Sequence, residues 1–262
     1  MTRYLRLLAI QLRISVASAM AYRANFVIEG VMSLVWLVIT LIPLVIVFDG
    51  RSEVAHWTRP DAMIVMAYFV GVRAVLEGMI SPSLVDLVEK IRSGSFDYVL
   101  LKPVDAQAMV SASRYEPWKV FDLIGAIAIV IYAFVLRGAP PSAANLALGV
   151  VLFGTGVAAA YALWILCAAA AFWVGRLDNL MYLLGSIFDT GRWPVMVFPA
   201  AWQIVFTFVI PVAVMTTYPA KALIGNLDAR DAIATIAGAG ALVVVSRLVW
   251  RTAIRSYTSA SS

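Results

Sequence analysis

The sequence predicts an all-α integral membrane protein, and three observations carry the prediction. Of its 262 residues 63% are apolar and only 13% charged, whereas a soluble domain carries about 25% charged residues. Several apolar stretches reach the roughly twenty residues that a helical crossing needs. No polar stretch between them exceeds about forty residues, too few for a typical independent domain, so the chain reads as a single transmembrane domain over 1–262.

The first element is Met1 to Arg23. Arg3, Arg6, Arg13 and Arg23 interrupt it too often for a secretory h-region. Leu5, Leu8, Ala9, Leu12, Val16 and Ala19 share one helical face while Arg3, Arg6 and Arg13 share another, the pattern of an interfacial helix lying flat before the first crossing. Six spans follow: Phe26–Phe48, Ala62–Ile80, Val120–Leu136, Leu146–Val174, Trp193–Thr216 and Ala232–Val249. The fifth holds Pro194, Pro199 and Pro211, which predicts a kinked or re-entrant element before the last span. Of the 20 Lys and Arg, Arg73 falls inside a span and five (Arg51, Arg59, Arg137, Lys221, Arg230) fall on one side; the other fourteen lie with the termini. The positive-inside rule therefore places both termini and the Ser81–Lys119 block in the cytoplasm.

That block is the most informative part of the chain. Its opening reads as an amphipathic helix with Ser81 as N-cap, Pro82 in the first turn, Leu84, Leu87, Val88 and Ile91 on one face, and Gly94 ending it. Such a helix suits a docking element; the same periodicity fits a helix lying on lipid headgroups, and the sequence leaves both surfaces open. Trp57, Trp118, Trp193, Trp250 and Tyr257 fall near span ends and read as interfacial belt anchors.

Several chemistries are excluded. One cysteine, Cys167, and one histidine, His56, leave no disulfide framework, zinc site or thiol–imidazole pair within the chain. The basic residues are dispersed over loops rather than clustered, which speaks against a nucleic-acid partner. No G-x-x-x-x-G-K-[ST] motif occurs, so the chain has no phosphate-cradling loop of its own. Motifs of the G-x-S-x-G and H-E-x-x-H types are missing as well.

Tyr22-Arg-Ala-Asn-Phe26 before the first span, Ile91-Arg-Ser-Gly-Ser-Phe-Asp97 with Leu100-Leu-Lys-Pro103 after the second, and Phe208-Val-Ile-Pro-Val212 with Tyr218-Pro-Ala220 late in the chain resemble the permease subunits of type-2 ABC exporters, in a bacterial branch of uncharacterised ABC-type transport permeases. The resemblance runs from about Tyr4 to the sixth span. It implies six spans with a cytoplasmic coupling helix between the second and third, in the bacterial inner membrane, and a second permease, identical or related. It also implies two ABC ATPase subunits, which would hold the ATP and Mg that this chain does not bind. On the coupling helix, Leu84, Leu87, Val88 and Ile91 would enter a groove of the ATPase, Glu89, Arg92, Asp97 and Lys102 would offer rim charges, and Gly94 and Pro103 would fix the turns.

Two other functions stay open on the sequence. Arg73 and Glu77, four residues apart on the second span, form an intramembrane charge pair that would suit an ion-coupled transporter or channel, since charges inside a membrane are functional candidates by default. The plainer reading is a structural pair, because no further relay group accompanies it in the span. A lipid-modifying enzyme would need converging acids, and Asp49, Asp61, Asp178 and Asp189 divide between opposite sides.

Overall fold

The long apolar runs become helices because an unpaired backbone group in hydrocarbon costs several kcal/mol, so the chain satisfies its hydrogen bonds within each segment. A computed structural model describes residues 2–21, 23–173 and 178–257, without the side chains of 2–8, 178 and 179. The expectations for Arg3, Leu5, Arg6, Leu8, Tyr22, Val174, Arg176 and the Asp178 carboxylate therefore lie outside what is described.

Helix α1 (Thr2–Ala21) leads into α2 (Arg23–Val47). A short antiparallel hairpin, β1 (Glu53–Val54) and β2 (Trp57–Thr58), then precedes α3 (Arg59–Val75). Thr58 caps α3 by accepting from the Asp61 amide, with Pro60 in the first turn. Nearly every residue from Ala62 to Ala74 is buried, so α3 is the centre of the bundle. Helix α7 (Val120–Arg137) packs along α3, α2 leans on α7, and α8 (Ala143–Ala170) packs against α13 (Ala229–Arg255). The outer faces of α2, α7 and α13 remain apolar and exposed, as surfaces that meet lipid or another membrane helix would be.

The second span does not stop where the sequence suggests. A π-helical turn, Leu76–Ile80, joins α3 directly to α4 (Ser81–Arg92), and Ser81 sits inside this helix with helical dihedrals instead of capping a new one. The reason is local. Pro82 has no amide proton for the carbonyl four residues earlier, and that carbonyl, on Gly78, accepts instead from the Glu116 amide at 2.8 Å. The wider π turn and the borrowed donor let the proline pass without a break.

Among the described residues, five helical stretches are long and apolar enough to cross a membrane: Arg23–Val47, Arg59–Arg92, Pro117–Arg137, Ala143–Ala170 and Ala229–Arg255. The expected fifth span, Trp193–Thr216, is not a continuous helix. After α9 (Asp178–Phe188) the chain makes single turns at Asp189–Arg192 and Val195–Val197, then α10 (Ala200–Ile204), a π turn at Val205–Val209, α11 (Val212–Met215) and α12 (Thr217–Ile224). Proline starts three of these breaks, at Pro194, Pro199 and Pro211, as their missing amides require. Asp189 lies level with Arg73 of α3, whereas Met196 lies beside Asp61 at the other end of that helix. Between Asp189 and Met196 the chain thus passes along α3, ahead of most of the stretch that the sequence suggests. Gly156 of α8 lets α11 come close: a Cβ there would stand 2.9 Å from the Met215 Cα.

Candidate functional site

The 81–119 block is held to the bundle by interlocking polar contacts. Ser83 donates to the Arg114 carbonyl at 2.9 Å and accepts from the Arg114 amide at 3.1 Å. Asp86 pairs with Lys90 at 2.5 Å and accepts from Ser113 at 2.9 Å. Between them run α5 (Asp97–Leu100) and α6 (Ala106–Val110), the latter capped by Asp105. Asp105 also pairs with Arg247 of α13, whose Nη1 donates to Gln107 at 2.6 Å; Gln107 in turn donates to the Tyr161 hydroxyl of α8 at 2.9 Å. The Arg247 hydrogen bond holds the Asp105 carboxyl below the usual carboxylate range.

Phe96 fixes the same block by its apolar side. It is fully buried and meets Phe172, Trp250 and Tyr257 edge-on, at centroid distances of 5.4, 6.5 and 5.3 Å. Trp250, 1% exposed, and Trp57, likewise buried, are packing residues rather than belt anchors.

The helix face predicted for docking divides. Leu84 and Leu87 are completely buried and join the protein's own core, with Ile91 packed half-buried against it; Val88 is half-buried along a cavity. Hydrophobic periodicity located the stripe, and the surface that covers it is this chain's own. Glu89 and Arg92 are exposed and pair with each other at 3.7 Å. Gly94 adopts a left-handed φ of 74°, which ends α4 with the Phe96 amide donating to the Lys90 carbonyl at 3.0 Å. Asp97 opens α5 beside Tyr257. Beyond it Tyr98 (72% exposed), Leu101 (79%), Lys102 and Pro103 project outward from a turn whose inner residue, Val99, is buried. Sequence periodicity gave no sign of Tyr98 and Leu101, because α5 is too short to show a period.

Arg73 and Glu77 meet as expected, Nε donating to Oε1 at 2.7 Å, but they belong to a longer ionic seam. Glu77 also accepts from Lys119 at 2.6 Å, and Lys119 lies 3.4 Å from Asp122, which accepts from Ser33 of α2. Arg73 reaches Asp189 at 3.1 Å, and Asp189 faces Arg192 at 3.5 Å. Both guanidiniums lie over the Phe69 ring, at 5.8 and 5.6 Å from its centroid. Three cations and three carboxylates thus tie α2, α3, α7 and the turn after α9 together. Lys119, Asp189 and Arg192 entered the sequence reading as loop or span-end charges and Asp122 was not singled out; the partners of this set lie up to 116 residues apart in the chain.

Two cavities share Arg73, Glu77 and Asp189 as a common wall. One, of about 560 Å³, opens along α4 and α9 past Val85, Val88 and Tyr182; the other, of about 750 Å³, opens along α2 past Trp36, Phe69 and Trp118. Each combines apolar lining with charged groups, the lining expected of a route for an amphiphile. No residue set at the seam makes a nucleophile with an adjacent base, so its chemistry is binding and charge pairing.

No curated protein and no solved structure matches the chain. The family model described as "ABC-2 family transporter protein" matches residues 34–261, which takes in the chain from the middle of α2 onward, with the 81–119 block and the six ionic residues of the seam. By that match, the chain belongs to the ABC-2 transporter family as a membrane permease component.

Proposed function

We propose that this chain, as one transmembrane domain over 1–262, is the permease subunit of an ATP-driven exporter that moves a hydrophobic or amphipathic substrate, coupled to its ATPase through the 81–103 segment. An ABC ATPase partner is implied by the family. The finer reading is two ATPase subunits, carrying the ATP and Mg, and a second permease, identical or related. The setting is the bacterial inner membrane with both termini cytoplasmic, and six crossings with 178–196 as the fifth and 200–224 as a re-entrant excursion. The observation that carries the coupling is the exposed Tyr98–Pro103 turn, whose apolar tips stand outside the core while Phe96 and Asp105 fasten its base. An exposed aromatic and leucine next to Lys102, on a block that also exposes Glu89 and Arg92, supply an anchor and charges of both signs, the make-up of an interface.

The test separates docking from folding. Leu101→Asp with Tyr98→Ala should release the ATPase on affinity purification while the permease keeps its melting temperature. Leu87→Asp places a charge in the chain's own core and should lower folded yield. If the ATPase stays bound to folded Leu101→Asp/Tyr98→Ala, the assignment of the docking turn fails. The seam favours no proton path: its charges already satisfy one another, and the ion-coupled alternative built on Arg73 and Glu77 requires proton-driven uptake by the chain without ATP.

A further inference from the structure

A third cavity, of about 480 Å³, lies at the end of the bundle away from the 81–119 block, between the β1–β2 hairpin and α12. We infer that it is an anion site in which Lys221 and His56, with the Asn226 amide, receive a phosphate group, either free or on a lipid headgroup. The inference stands apart from the exporter reading and from the seam.

The hairpin is the first observation. Its two turn residues, Ala55 and His56, have φ of 51° and 65°, both left-handed. Two-residue hairpin turns ask for that geometry and normally meet it with Asn-Gly or Gly. Neither Ala nor His relieves it, and backbone strain of this kind persists where the surroundings over-determine it and clusters at ligand sites. Here buried Trp57, paired in register with Val54, clamps the turn and leaves His56 on the cavity wall.

The second observation is Lys221. It is half-buried on α12, and among the described residues no carboxylate lies within ion-pair distance of its ammonium and no hydrogen bond engages it. Asp231 and Asp228 act on it only through space, and burial outweighs them, pulling the ammonium below its ordinary pKa. The carboxylate that shares the cavity, Asp61, does not neutralise it, because Asp61 is already engaged by Thr58 at 2.7 Å and by Arg137. A partly buried cation with no partner is a standing cost that a bound anion removes.

The third is the turn that closes α12. Gly225, at φ 89°, lets the Asn226 amide donate to the Lys221 carbonyl at 2.8 Å, which sets the Asn226 backbone at the rim of the same cavity, where its exposed side chain forms part of the lining. A lysine, an imidazole and a carboxamide thus line one cavity, Lys221 half-buried and His56 and Asn226 exposed at its rim, with Trp57, Met196 and Ile224 as its apolar sides. A tetrahedral phosphate has acceptor oxygens enough for all three.

The chain has four lysines, Lys90, Lys102, Lys119 and Lys221, so acetylation read by mass spectrometry reports on each. The full chain is placed in nanodiscs of phosphatidylcholine alone, with added inorganic phosphate, or with phosphatidylglycerol mixed into the bilayer. Lys221 should be acetylated about tenfold more slowly in at least one of the last two at near-saturating ligand, with exposed Lys102 unchanged. Protection by inorganic phosphate assigns a free anion, and protection by phosphatidylglycerol alone assigns a lipid headgroup. Equal labelling of Lys221 in all three overturns the site. Lys221→Gln gives the second reading: its melting temperature in phosphatidylcholine without phosphate should equal or exceed the parent's, and the rise induced in the parent by whichever of phosphate or phosphatidylglycerol protects Lys221 should vanish. A lower melting temperature without phosphate would assign Lys221 an internal structural partner and overturn the proposal.

Discussion

Replacing Arg73 with Ala should be judged by the charge balance of the seam rather than by the bonds it loses. In the native seam Arg73, Lys119 and Arg192 face Glu77, Asp122 and Asp189, three charges of each sign. The side chains are 15% to 42% exposed, between an open surface pair, which contributes about 0–1 kcal/mol, and a fully buried pair, whose breaking costs about 3–5 kcal/mol. One uncompensated charge here should therefore cost about 1–2 kcal/mol. Arg73→Ala leaves three carboxylates to two cations and should lose that amount. Arg73→Ala/Glu77→Ala restores balance, because Lys119 keeps Asp122 and Arg192 keeps Asp189, and the loss should shrink to about 1 kcal/mol or less. Arg73→Ala/Lys119→Ala leaves three carboxylates to one cation and should lose about 3 kcal/mol or more. Melting temperature and folded yield of the purified chain, measured for all three, supply the ranking. Equal losses in the two double variants would refute the charge-balance account. If Arg73→Ala/Glu77→Ala assembles normally yet no longer shows substrate-stimulated ATP hydrolysis, the seam serves transport rather than structure.

Phe96→Ala removes the ring that joins the block to Phe172, just past the end of α8, and to α13, and should cost about 3–5 kcal/mol, read as a lower melting temperature together with faster proteolysis between residues 93 and 105. Gly156→Val sets a side chain against the Met215 backbone and should cost about 1–3 kcal/mol, with Gly154→Val, which faces open space, as the neutral comparison in the same melt. Asp105 gives a pH dependence. Its carboxyl is depressed in the folded state by Arg247, so its contribution is complete above the ordinary carboxylate pKa of about 3.9 and is lost as pH falls through the lower folded value. Asp105→Asn should flatten the acid limb of the stability curve, and an unchanged acid limb in that variant would remove Asp105 from the account.

The membrane class and the four cleanest helices were legible because apolar runs report burial in lipid or core with no knowledge of partners; α7 ends one residue past its expected bound, while α13 starts three residues before and ends six past its own. The block was legible as an amphipathic helix through Leu84, Leu87 and Ile91, but periodicity marks only that a face is covered, and says nothing of what covers it. Ser81 was misleading for a related reason. Serine and proline signal a helix start locally, while the donor that cancels the signal, the Glu116 amide, lies far along the chain. The 178–196 run was obscured by Asp178, Asp189 and Arg192, which look like loop residues until Asp189 is seen to pair with Arg73 of another helix and with Arg192, whose guanidinium lies over Phe69 of that helix.

The uninterrupted helix from Arg59 to Arg92 has a mechanical consequence. Its 34 residues amount to about 51 Å at 1.5 Å per residue, so the hairpin end and the 81–119 block sit at opposite tips of one lever. A tilt of about 10° around its middle would displace each tip by about 4 Å, on the scale of one helical turn. The Leu76–Ile80 turn is the compliant joint in this lever, and the Glu116 amide on the Gly78 carbonyl is its brace. A tilt of the block would then reach the far cavity through this joint, and the Glu116 brace is the contact on the joint itself that resists its bending.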